Sequence, residues 1–136
     1  MREELKGPKV EGVRVVVVPE TDEDGNKQHY VYLLNLRDDI MEGIIITSKG
    51  YGMNVETGES VKTSTLRHSL EVLLPNEAAK IEPIMEEVFG LTNEYWVSFW
   101  VESAMYDKKF IFLPETISEK NYVEIPRLGG KGIMVG

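Results

Sequence analysis

The chain has 136 residues, 15 Lys and Arg against 23 Asp and Glu, a net charge of −8 and no cysteine. That length suits one domain, and the missing cysteine excludes disulfides and thiolate metal sites. The acidic balance argues against general nucleic-acid binding, which draws on surplus Lys and Arg to replace counterions.

The opening Met1-Arg-Glu-Glu-Leu-Lys-Gly-Pro8 has no apolar stretch of the signal-peptide kind. No run reaches the roughly 18 apolar residues of a membrane-spanning helix. The expectation is a cytoplasmic protein with no membrane attachment. Residues 1–9 read as a tail, 10–128 as a single domain, and 129–136 as a flexible tail or an added edge strand.

The dominant period is two. Val13 to Val18 is a β-branched run closed by Pro19. Tyr30, Tyr32, Leu34 and Leu36 share one face of a second strand, and Asp24-Gly25 marks the hairpin tip between the two. Gly43-Ile-Ile-Ile-Thr-Ser48 makes a third strand, with Lys49-Gly-Tyr-Gly52 as a turn. Over 61–74, Leu66, His68, Leu70, Val72 and Leu74 share one parity, which predicts one buried face and one wet face. Pro83 excludes a long helix over 75–90. The segment reads as an extended piece over 77–81 and a short helix over 83–89, with Pro83 at its first position and Gly90 past its end. Tyr95, Val97, Phe99 and Val101 then alternate with Trp96, Ser98, Trp100 and Glu102. Further strands follow at 109–113 and 122–125.

This pattern predicts an all-β protein: an immunoglobulin-like two-layer β-sandwich of about seven to eight strands with at most one short helix. The step from Asn35-Leu36 through a polar link to Gly43-Ile-Ile-Ile46 resembles the second-to-third-strand region of immunoglobulin-like modules.

The candidate chemistry is sparse. Asp22-Glu-Asp-Gly-Asn26 opens like a calcium loop, but Lys27 and Leu33 stand where the required Gly and Glu belong, so it reads as a solvated hairpin tip. His68 falls on the apolar face between Leu66 and Leu70. It is expected to be a buried, hydrogen-bonded core histidine; the catalytic alternative pairs it with a carboxylate such as Glu71 or Glu102. His29 sits at a strand start, and two histidines without cysteine make a poor metal set, so no metal or cofactor is expected. Trp96 and Trp100 fall opposite the apolar face. They either form a binding patch or are covered by the 83–89 segment or the C-terminus. Trp96, Trp100 and His68 are therefore the candidate binding residues of a non-catalytic interaction module. The expected partner is a second copy or another protein.

Asn93-Glu-Tyr-Trp-Val-Ser-Phe-Trp100 and Tyr106-Asp-Lys-Lys-Phe-Ile-Phe-Leu-Pro-Glu115 resemble a group of small uncharacterised bacterial proteins of this length. Some of these are labelled phenylalanyl-tRNA synthetase alpha subunit, and the likeness runs from about Val13 to the C-terminus. The resemblance implies an association with an aminoacyl-tRNA synthetase. It assigns no residue a role, because no segment supplies the Arg-containing ATP motifs of a class II catalytic domain.

Overall fold

A computed structural model describes residues 9–54 and 56–136. All but the last residue of the expected N-terminal tail lies outside them. Ten strands form among the described residues: β1 (Val13–Thr21), β2 (Lys27–Asn35), β3 (Met41–Met53), β4 (Ser60–Lys62), β5 (Leu66–Leu73), β6 (Ala78–Ile84), β7 (Thr92–Val101), β8 (Ala104–Phe112), β9 (Val123–Ile125) and β10 (Gly130–Val135). They make two five-stranded sheets. The first has the order β6-β2-β1-β10-β9. In the second, β7 separates β3 from β8, while β4 and β5 pair with successive stretches along the other side of β3.

The all-β, two-sheet expectation holds, with ten strands rather than seven or eight. The strand order differs from the constant-type immunoglobulin arrangement, where the first strand lies at a sheet edge. Here β1 lies centrally between β2 and β10.

The main core lies between the sheets. Val13, Val15, Val17, Val31 and Leu33 of the first sheet meet Ile44, Ile46, Tyr95, Val97, Phe99 and Phe110 of the second. The unbroken Val15–Val18 run has a direct cause. The far side of β1 is also covered, by a second cluster in which Val16, Val18 and Leu34 pack under Ile125 and Leu128. A strand buried on both faces needs apolar residues at every position.

Tyr30, Tyr32 and Leu34 share a face as expected, but it is this outer one, and the inter-sheet core takes His29, Val31 and Leu33 instead. On that outer side the Lys80 ammonium lies over the Tyr30 ring at 3.9 Å. Lys80 also pairs with Glu20, to which Tyr32 donates a hydrogen bond.

Several local expectations are corrected. Residues 49–52 are not a turn but continue β3 to Met53. Gly50 and Gly52 let the side chain of Leu91 lie close against that strand. Pro83 does not open a helix: it sits in β6 opposite Tyr30. β6 is the sheet edge, where a residue without N–H loses no ladder bond. The helical piece shrinks to a single 3-10 turn at Glu86–Val88. The alternation over 61–74 breaks after Leu70, so Leu73 is buried while Val72 and Leu74 stay exposed. Residues 130–135 are neither free nor an edge: β10 pairs with β9 through its first half and with β1 through its second. At that crossing a Cβ on Gly132 would run into the Val17 carbonyl oxygen.

Candidate functional site

Glu82 is the focus of the inter-sheet space. In β6, Lys80 pairs with Tyr32 and Glu82 pairs with Val31, so Ile81 is an extra residue in the ladder. Such a bulge reverses the facing of everything after it. Lys80 therefore points outward with Tyr32, and Glu82, two positions on, points into the core with Val31. Its carboxylate is only 9% exposed.

The second sheet meets that carboxylate with three donors from three strands. His68 of β5 brings Nε2 to 2.7 Å from Oε1. Ser48 of β3 places Oγ 3.1 Å from both carboxylate oxygens. Tyr95 of β7 donates its hydroxyl to Oε2 at 2.9 Å. Ser48 and Tyr95 are direct cross-strand neighbours, so both hydroxyls start on the inner face. Burial, then the Glu82 charge and hydrogen bond, push the Tyr95 phenol far above its ordinary range, so it keeps its proton and remains a donor. Charge-assisted bonds of this kind are what make a buried carboxylate tolerable.

The same carboxylate lines a half-open cleft of about 210 Å³ between β6 and the β3–β5 side of the second sheet. Leu66, Ile84, Met85 and Val88 give it mostly apolar walls, and Ser48, Thr63, Asn93 and Tyr95 add polar points. The walls are fixed by local bonds. The Gly50 N–H donates to Thr63 Oγ1 at 2.7 Å. The Asn93 amide donates to the Val88 and Leu91 carbonyls, tying the 3-10 turn down at the end of the cleft.

Chemically, Glu82 and His68 form an acid–base pair. With Nε2–H donated to the carboxylate, Nδ1 carries the lone pair. Among the described residues nothing bonds to Nδ1, and the His68 side chain is 35% exposed. Ser48 is not an activated nucleophile, because its hydroxyl is engaged by Glu82 and not by the imidazole.

The sequence expectations fare unevenly here. His68 is not a buried histidine between buried leucines: it is partly open, Leu66 is exposed, and its bond is to a side chain of the opposite sheet. The buried histidine is His29, set edge-on to Phe89 with ring centroids 5.1 Å apart. The carboxylate pairing expected of His68 is present with a different partner, Glu82, since Glu71 faces solvent and Glu102 lies in the β7–β8 turn. Sequence reasoning missed Glu82, because alternation across a bulge cannot be read from residue types. Tyr95 had a signal, its inward parity with Val97 and Phe99. One carboxylate of the hairpin tip is occupied locally: Asp22 Oδ1 accepts the N–H groups of Asp24 and Asn26.

Trp96 and Trp100 lie far from this cleft in facing, on the outer side of the second sheet, each 44% exposed. Ser98 stands between them, and Met105 is also exposed beside Trp100. No described helix is long and apolar enough to cross a membrane. Comparison of the chain with protein-family models, curated proteins and solved structures finds no match in any of the three.

Proposed function

We propose that the inter-sheet cleft binds a small molecule with an apolar body and one N–H or O–H donor at Glu82, and that His68, paired to Glu82 just outside the cleft lining, acts through its exposed edge as a general base on a ligand group that reaches it. The observation that carries this reading is the buried carboxylate, paired to His68 at 2.7 Å, lining a cleft of mostly apolar character. Three protons reach a group with about four acceptor positions, which leaves one for a ligand. The carboxylate also fixes the imidazole tautomer and ring orientation, as an acid behind a catalytic histidine does. The cleft volume suits a ligand of one ring, at the small end of binding sites.

Phenol and cyclohexylamine are suitable probes. Expected are shifts in the backbone NMR signals of Ser48, Gly50 and Tyr95 and in the His68 ring nitrogens, lost in Glu82→Ala. Hydrolysis of 4-nitrophenyl acetate should fall to background in His68→Gln. Silence of those signals at millimolar probe, together with hydrolysis unchanged in His68→Gln, would sink the reading.

A second reading concerns the outer face of the second sheet. Two half-exposed indoles and Met105 on one sheet face support self-association through that face. Light scattering should then show a dimer that a Trp96→Ala/Trp100→Ala variant does not form.

A further inference from the structure

The outer face of the second sheet has a charge order along its strands. The ladder pairings sort its residues into rows across the sheet. One row holds Arg67, Thr47, Trp96 and Lys109, and so carries positive charge at both sides of the indole. The central row holds Ser69, Ile45, Ser98 and Asp107. The third holds Val72, Glu42, Trp100 and Met105, with Glu71 next to Val72 along β5. Arg67, Glu42 and Glu71 are exposed, and none has an ion-pair partner among the described residues. The face is thus basic at the Trp96 end and acidic at the Trp100 end, about 13 Å apart at four strand residues.

From this polarity we infer that a second copy of the chain docks on this face with its β7 antiparallel, about a two-fold axis crossing the strands at Ser98. The inference rests on reading the tryptophan face as a self-association surface, and it specifies the geometry. Two sheets packed face to face by a two-fold have only two simple arrangements. An axis parallel to the strands sets Trp96 on Trp96 and basic row on basic row. An axis across the strands sets Trp96 on Trp100 of its mate and Arg67 on Glu71 of its mate, twice over. Only the second satisfies the charges.

Asp107 then faces its own copy across the axis. It does so from the edge strand β8, in water, with Lys109 of each copy one step along. The four strands, over five residues each, outline a patch of roughly 300 Å² in plan, smaller than the about 800 Å² per partner of a standard interface. The dimer should therefore be weak and reversible.

Sedimentation velocity of the whole chain tests this with charge reversals at exposed positions. Wild type should dimerise, more weakly at about 0.5 M salt. Arg67→Glu and Glu71→Arg should each lose at least about tenfold in self-affinity, since each faces like charge twice. An equimolar mixture of the two should recover a heterodimer, and the double variant should recover a homodimer. Unchanged melting temperatures of the single variants should show that the fold is intact. A wild-type dimer indifferent to both reversals would overturn the orientation while leaving the tryptophan face in use. A wild type that stays monomeric would remove that face as a self-association surface, and this inference with it.

Discussion

At the scale of single residues, the stability of the inter-sheet contact turns on Glu82. Its three donors come from one sheet and its backbone from the other, so loss of the carboxylate strands three polar groups at once. Glu82→Ala should destabilise by about 3–5 kcal/mol, because it removes three hydrogen bonds to a charged acceptor and leaves buried hydroxyls unpaired. Tyr95→Phe, which removes one bond to a charged acceptor, should cost about 1.5–3 kcal/mol. Urea unfolding of both variants checks the order, and a smaller loss for Glu82→Ala than for Tyr95→Phe would contradict it.

His29 sets a pH dependence of its own. Burial holds its imidazole below the ordinary range, against the opposing pull of Glu86 and with some help from Lys27. The unfolded chain therefore takes up this proton at a higher pH than the folded one. Stability from His29 is full above about pH 6.5 and declines as pH falls below it. Tyr122 faces the ring with its hydroxyl 3.5 Å from Nε2, and Phe89 meets it edge-on. A His29→Phe variant keeps an aromatic ring there and loses the proton site. The difference between wild type and variant in urea midpoint should therefore shrink between pH 5.5 and 7.5 as the pH is lowered if Phe is the weaker packer, or widen if it is the stronger. A pH-independent difference would count against a buried, neutral His29. Glu20 and Asp39, both held below the ordinary carboxylate range, act only at more acid pH.

At the scale of elements, two irregularities decide what faces where. The bulge at Ile81 turns Glu82 inward, and a second register shift between Glu42 and Ile45 of β3, next to Gly43 with φ 53°, reorients β3 against β7. Met41 and Ile44, odd and even, are both fully buried as a result. Alternation within β5 predicted Val72 and Leu74 inside, and the same distortion of its neighbour is why Leu73 is inside instead. Where no bulge intervenes, as from Tyr95 to Trp100, alternation assigned both faces of the strand correctly.

The crossing of β10 over β1 makes a separate demand. Gly132→Ala places a methyl against the Val17 carbonyl and must push the strands apart. A loss of about 1–3 kcal/mol, as for other overpacked sites, is expected from urea unfolding, and an unchanged midpoint would show that the crossing can yield.

At the scale of the whole molecule, the first and last strands are neighbours. Val15 to Val17 pair with Ile133 to Val135, and Ile133 belongs to the main core. Removing residues 130–136 should thus leave β1 with an open apolar edge and no cooperative unfolding, seen as collapsed amide dispersion and a broad melt. A truncated chain that melts sharply would show that the sandwich closes without β10. The Gly-rich stretch before this strand made it look detachable in the sequence, because composition does not report a pairing partner more than a hundred residues away.

What the sequence determined by itself is the class: period-two runs, β-branched strands, turn residues between them, and the inward and outward faces of β7. These follow from local sterics and from burial on one side of a pleat, both of which act within a few residues. What only the tertiary structure decided is the site. Glu82 meets His68, Ser48 and Tyr95 because one extra residue at Ile81 and the stacking of two sheets bring four strands to one point. Neither the bulge nor the stacking is written in residue spacing, since both are settled by contacts between segments distant along the chain.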